Sequence, residues 1–570
     1  MKSRSFFSIL SGVVLGLVLL GAIGAYWLTS RAPAQLPKPN ATQATPTAAM
    51  FVPRQAAAMV SLLVNPERLE SFWLAEASAA QRKTLKADLA QIQQSLFATL
   101  GLDYERDLRA WLGDEVTFAL TTADIDRDPA NGQQPGQLLA LSVKEPSLAQ
   151  TAMQNFWRRR VAAKDLVSET FAGVSIVYAD SPDNSEPSLK STLASAMVGN
   201  QYVLFANSSK VLRTALNDAQ VPTLSLDSSF TYQQALEQLP AKQLGFLFAN
   251  VEQLQPWLSR SSFQLPWMDL LDLAATKQPF DSLVVTLEPD PQGILANATL
   301  HRLEPGSQPV SQPVLTDASP LLKFIPSGSR FAIASKNLPQ TWQQAVDQLQ
   351  DGWAANTRLA ARVQSGLEGL QKQWGINFAD DIFDWVTGEY AIAQFPRTDR
   401  SQPDWIFVTQ RSPEAEAGLA RLDDIAQRQG ASIGSFLLGD QKLYAWTKLV
   451  TRSSSPTGTA ALQAEVQGVR TTVGAYELVT TSLEAMQQAL QAAQADQLPD
   501  FQASVARLQT PNQGYLYFDQ TLLQDLQDQT ALANLEPLKL LIRSVQAAVF
   551  SNYGINETGQ RAAMFLRLEG

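Results

Sequence analysis

The chain has 570 residues, 45% hydrophobic and 17% charged, enough apolar material for packed cores and more length than one ordinary domain needs. It carries 44 basic against 54 acidic side chains, a formal charge of −10 and a pI of about 4.9, a balance that argues against a nucleic-acid-binding surface. With no cysteine and a single histidine, His301, it excludes disulfides, thiolate nucleophiles, zinc–thiolate centres and iron–sulfur clusters, and leaves one candidate for any histidine-based site.

Lys2 and Arg4 precede an uncharged run from Phe6 to Leu28 (28 − 6 + 1 = 23 residues). As a helix this run spans about 34 Å, enough for a bilayer core. Residues 1–30 are therefore expected to form a single N-terminal transmembrane helix, an uncleaved anchor. Ala32-Pro33-Ala34 resembles a cleavage site and keeps a removed signal as the alternative. Tyr26 and Trp27 suit a membrane interface, and the leading basic residues place the N-terminus in the cytoplasm with the bulk outside it. Gly12 and Gly16 have the G-x-x-x-G spacing that lets two helices approach, a hint of a homodimer. Residues 31–50, rich in Ala, Pro, Thr and Gln, read as an extended linker.

After the linker the chain says nearly the same thing twice. "LGLDYERDLRAWLGDEVTFAL" starts at Leu100 and "WGINFADDIFDWVTGEYAIAQ" at Trp374. Gly101 answers Gly375, Asp107 answers Asp381, Trp111 answers Trp385 and Glu115 answers Glu389, all at one offset (375 − 101 = 274). The echo continues in order. "FVP" at Phe51 matches "FIP" at Phe324, "VGNQY" matches "VGAY", "LGFLFANVEQL" matches "QGYLYFDQTLL", and "ATLHRLE" matches "AMFLRLE". The expectation is a tandem duplication, with repeat domains at 51–304 and 324–570 and a Pro/Ser/Gln linker at 305–323.

Within each copy, alternating strands such as "YVLFAN" are followed by amphipathic helices such as "SSKVLRTALN". "DSLVVTLEPDPQGILANATLHRL" reads as a long hairpin turning at Pro-Asp-Pro-Gln-Gly. Leu108, Trp111 and Leu112 share one face of an expected short helix that Gly113 stops, with a strand opening at Glu115. The predicted fold class is α+β, a largely antiparallel sheet in each copy with helices packed on one face.

The "F-[VI]-P" opening, the Gly–Asp–Trp–Gly segment, "V-G-x-x-Y" and the "GFLFANVEQL"-type strand resemble the DUF3352 family, over nearly everything after residue 50. The resemblance implies a bacterial, often cyanobacterial, membrane-anchored protein, and supplies no catalytic residues.

Chemistry has few places to reside. Asp107/Asp381 and Glu115/Glu389 are the carboxylates present in both copies, and two carboxylates facing a cleft can perform acid–base hydrolysis. The competing reading is local capping of backbone donors. Arg158, Arg159 and Arg160 could meet an anionic partner, or could simply end an amphipathic helix in solvent. His301 sits in a strand-like stretch, and a strand histidine without chemistry is expected. No P-loop, dinucleotide-binding or nucleophile-elbow motif occurs, so no cofactor or metal is expected. The reading is a membrane-tethered, extracytoplasmic, non-enzymatic protein that binds a protein partner or assists a membrane or envelope complex; the resemblance implies that it faces a periplasm or thylakoid lumen. The alternatives are a carrier or sensor of an apolar ligand such as a lipid or pigment, and a carboxylate-based hydrolase.

Overall fold

The computed structural model describes residues 45–65, 97, 102–127, 134–161, 165–179, 193–237, 239–240, 243–253, 280–290, 292–302, 314–340, 342, 377–397, 403–453, 460–494, 500–528, 545–555 and 559–568. The expected anchor Phe6–Leu28, with Gly12 and Gly16, lies outside these residues, as do Gly101 and Gly375. Among the described residues no helix is long and apolar enough to cross a membrane.

The fold is α+β, mostly antiparallel sheet with some helices. Its first strands are β1 (Ala58–Leu62), β2 (Leu112–Thr122), β3 (Gly136–Val143), β4 (Leu166–Phe171), β5 (Val174–Ala179), β6 (Ala194–Val198), β7 (Tyr202–Ala206), β8 (Gly245–Asn250), β9 (Phe280–Asp290) and β10 (Gly293–Arg302). Then come β11 (Phe331–Lys336), β12 (Glu389–Phe395), β13 (Asp404–Gln410), β14 (Ser432–Leu438), β15 (Gln441–Ser453), β16 (Ala460–Val473), β17 (Tyr476–Thr480), β18 (Gly514–Asp519), β19 (Val545–Ile555) and β20 (Gly559–Leu568). Following the antiparallel pairs from one edge, the first half runs β4-β5-β6-β7-β3-β2-β1-β8-β9-β10. The second half continues β20-β19-β18-β11-β12-β13-β17-β16-β15-β14. Counted from its own first strand, the second order is the first one reversed.

The two halves meet where β10 pairs with β20. Gly293 faces Arg567, His301 faces Gly559, and Asn297–Ala563 is the pair midway between them. Both outer positions need glycine for the same reason. A Cβ at Gly293 would lie 1.9 Å from the Leu566 carbonyl oxygen, and one at Gly559 would lie 1.9 Å from that of Leu300. The expected hairpin is β9–β10.

Helices cover both faces of the sheet rather than the one expected, because the strands are apolar on both sides. In β2, Val116, Phe118 and Leu120 enter one cluster with Trp111, Phe156 and Trp157, the last two from helix Pro146–Arg160. Ala119 enters another with Val211, Leu212, Ala215 and Leu216 of helix Ser209–Gln220. The second half repeats this with helix Pro413–Arg428 against Trp385 and Tyr390, and helix Leu483–Ala492 against Ala391 and Ala393. Ser208 and Ser482 cap the equivalent helices, accepting from the Lys210 and Ala485 amides.

The ends of the two stretches read as linker belong to the fold. Thr47–Phe51 forms a 3-10 turn with Ala48 and Ala49 fully buried, and Ser319–Leu322 forms a short helix flanked by buried Leu315 and Phe324. Small and aliphatic side chains let each segment pack under its following Phe-[Val/Ile]-Pro.

Candidate functional site

The repeated aspartates build the same turn twice. The Asp107 carboxylate accepts from the Asp103 amide at 3.0 Å, and that of Asp381 accepts from the Asn377 amide at 2.7 Å. The Trp111 indole N–H donates to the Asp107 carbonyl oxygen at 2.6 Å, and Trp385 donates to that of Asp381 at 2.7 Å. The turn is a single wide one, Tyr104–Leu108 or Phe378–Ile382, rather than the short amphipathic helix expected. The sheet also begins earlier than expected. The Trp111 carbonyl accepts from the Lys144 amide at 2.9 Å, and β2 starts at Leu112.

Asp107 is buried and receives both the Nε and Nη2 of Arg106 at 3.0 Å, together with Arg159. Burial alone would raise its carboxyl; the Arg106 hydrogen bonds, the Asp103 amide and the two guanidinium charges outweigh this and hold it below its ordinary value. The three arginines therefore do not act as one patch. Arg159 reaches back to Asp107, Arg160 is half-buried over the Phe156 ring, and Arg158 is exposed.

Glu115 lies inside β2 and does other work. Its carboxylate accepts from the Thr47 hydroxyl at 2.7 Å, the Ala48 amide at 2.9 Å, the Thr117 hydroxyl at 2.9 Å and the Tyr202 hydroxyl at 2.7 Å. Burial, and then the Glu115 charge, push the Tyr202 phenol upward. Phe51 packs edge-on against Tyr202 at 5.2 Å, and Phe324 against Tyr476 at 5.8 Å. The "F-[VI]-P" and "V-G-x-x-Y" motifs are thus two sides of one contact. Glu389 is only half-buried, and burial raises its carboxyl. The structure does not bring Asp107 and Glu115 together on a common hydrogen-bond partner. His301 is a buried residue of β10 whose imidazole is pushed down by desolvation. Among the described residues no group of three His, Cys, Asp or Glu could hold a metal ion.

The concave feature lies at the seam between the halves, and sequence reading missed it. A cleft of about 540 Å³ is floored by Val284, Thr286 and Glu288 of β9, Asn297 and Thr299 of β10, and Arg561 of β20, with Leu239, Pro240 and Gln509 at its sides. The registers Thr286–Asn297, Val284–Thr299 and Thr299–Arg561 put these residues on one face of the sheet. Asn297 donates to Glu288 at 2.5 Å. Burial raises the Glu288 carboxyl, and the Asn297 bond only partly offsets that. Arg561 stacks over Tyr553 with 5.7 Å to the ring centre, and the Tyr553 hydroxyl accepts from the Gln509 amide at 3.1 Å. Beside the cleft, Arg507 of the second half pairs with Asp290 of the first at 3.3 Å. β20 joins the β9–β10 hairpin only over long range, so no local pattern marks the cleft.

No curated protein matches the chain. One solved structure, crystal form I of TP0453, shows similarity at 9% identity and a TM-score of 0.25, covering 47% of this chain and 83% of that one. The profile described as "Protein of unknown function (DUF3352)" matches residues 10–568, and the chain belongs to the DUF3352 family.

Proposed function

We propose that the chain is a non-enzymatic, membrane-tethered protein whose sheet stands outside the cytoplasm, in a periplasm or thylakoid lumen, and binds a partner protein along one edge. The tether is the uncharged run Phe6–Leu28 behind Lys2 and Arg4, where Gly12 and Gly16 favour a homodimer. The sheet order, the same from both edges, supports a tandem duplication of one unit. The carboxylates that recur in both copies are engaged in turns and in strand contacts, which supports a non-enzymatic role.

The observation that carries the binding reading is β14. It pairs only with β15 among the described strands. Its sequence, "SIGSFLL", has no charge and no proline, and Leu437 is 70% exposed. An edge of this kind offers unpaired backbone groups to another strand. The opposite edge is guarded: β4 carries Glu169, held by Arg213 at 2.7 Å. An extended, apolar segment of a partner protein fits β14 as an added strand.

The test is crosslinking and mass spectrometry on the full chain in gently solubilised membranes, comparing the parent with Leu437→Lys and, on the guarded edge, Val167→Lys. A near-stoichiometric partner crosslinked around 432–438, lost in Leu437→Lys and kept in Val167→Lys, supports the reading. A partner retained by Leu437→Lys, or a preparation holding only a lipid or pigment, overturns it.

A further inference from the structure

The seam cleft holds two charges without charged partners among the described residues. Glu288 is half-buried and accepts from the neutral Asn297 amide, and no ion pair joins it to a described Lys or Arg. A desolvated carboxylate in this state is costly until a cation meets it. The Arg561 guanidinium carbon lies 5.7 Å from the centre of the Tyr553 ring, and its forked donors meet no described carboxylate. Such a fork suits a carboxylate.

Arg561 also breaks the likeness between the halves. The equal offsets of the two seam glycines (559 − 293 = 266) place Arg561 where the first half has Leu295, a residue packed against the second half's apolar core. Leu295 is in turn the β9 partner of Glu288. The cleft is therefore acidic toward the first half and basic toward the second, in a cavity that both halves line.

We propose that this cleft binds a small zwitterion, an ω-amino acid or short peptide, with its ammonium on Glu288 and its carboxylate on Arg561. The spacing sets the length. β9 and β20 are separated by one strand, roughly 10 Å, and the partners of Glu288 and Arg561 on β10, Leu295 and Thr299, are four residues apart, roughly 13 Å along the strand. Glu288 leans toward β10 through Asn297, whereas the Arg561 guanidinium lies over Tyr553 of β19, the strand beyond β20, so the ligand charges must stand several atoms apart, more than an α-amino acid provides. The volume of about 540 Å³ is of the size that holds such a ligand. Asn297, at the midpoint of the seam, orients the Glu288 carboxylate.

The test is isothermal titration of the purified full chain with glycine, 4-aminobutyrate, 6-aminohexanoate, 8-aminooctanoate and triglycine, with hexylamine and hexanoate as single-charge controls. Expected is saturable binding of a longer zwitterion, at least tenfold tighter than either control. Glu288→Gln and Arg561→Gln each weaken it at least tenfold, with melting curves confirming that both variants fold. Absence of binding by every zwitterion overturns the proposal. So does binding that the folded variants retain, or binding that hexylamine or hexanoate matches.

Discussion

Glu115 holds Thr47 through its hydroxyl at 2.7 Å and through its amide at 3.2 Å, and so fastens the turn Thr47–Phe51 to a central strand. The same carboxylate takes the Ala48 amide and the Tyr202 hydroxyl. Removing it strands several buried donors at once, and donors to a charged group are the costly ones to lose. Glu115→Ala is expected to lower stability by on the order of 3 kcal/mol and to open residues 45–52 to proteases. Glu389→Ala, at a half-buried position, is expected to cost much less. Chemical denaturation with limited proteolysis measures both, and equal effects from the two variants would contradict this account.

The paired tryptophans make a second comparison. Trp111→Phe and Trp385→Phe keep a ring but lose the bond to the aspartate carbonyl, an expected cost of roughly 1–2 kcal/mol each. Alanine at either position empties a core site, at roughly 3–5 kcal/mol. Gly418 lies so close to Trp385 that a Cβ there would come within 2.2 Å of the ring. Gly418→Val should therefore mimic Trp385→Ala in a thermal melt.

These tryptophans also show how far the sequence can be read. The 274-residue echo of Trp111 in Trp385 marks a shared turn without any coordinates (385 − 111 = 274). Local alternation likewise marks the β9–β10 hairpin, whose strands pair across a short turn. What local patterns do not carry is the β10–β20 pairing, because nothing in "GILANATLHR" names the partner that Asn297 finds in Ala563, 266 residues away (563 − 297 = 266). Glu288, Asn297 and Arg561 converge only through that pairing, so the cleft was not legible. Helices on both faces were hidden similarly. In β2 and β7 the small residues Ala119 and Ala206 break the visual alternation yet are buried under a second helix layer.

Asp107 and Asp218 predict opposite responses to acid. Asp107 has a lowered carboxyl in the folded chain, so the unfolded chain binds more protons as the pH falls below about 4. The stability it contributes is present above that point and is lost through the lowered folded value. Asp218 is buried on helix Ser209–Gln220 with one carboxylate oxygen lacking a hydrogen-bond partner, and desolvation raises it to about 6. There the folded chain binds more protons. Its favourable contribution is fully present below about pH 4 and is lost as the pH rises through about 6. Asp218→Asn is therefore expected to stabilise the protein at pH 7 by up to ~3 kcal/mol and to change little at pH 4. Asp107→Asn should destabilise at pH 7 and flatten the acid limb. Denaturant midpoints between pH 3 and pH 7 test both signs.

The seam itself is testable through its two glycines. Gly293 and Gly559 each face a carbonyl oxygen of the opposite strand at a distance no Cβ tolerates, so Gly293→Val and Gly559→Val must part β10 from β20 locally. Because the two contacts have equal geometry, the two variants should lose similar amounts of stability. Gly434→Ala on β14, where a Cβ meets nothing within 4 Å, is the matched control and should be close to neutral. Calorimetry reads more than the cost. A cluster of buried side chains crosses the seam, joining Leu300 and Ile294 of the first half to Leu566 and Ala548 of the second, so the parent should melt in one transition. With the strands parted, each half keeps its own remaining clusters, and the valine variants should melt in two. A single transition in both variants, shifted no further than in Gly434→Ala, would mean that the seam does not couple the halves.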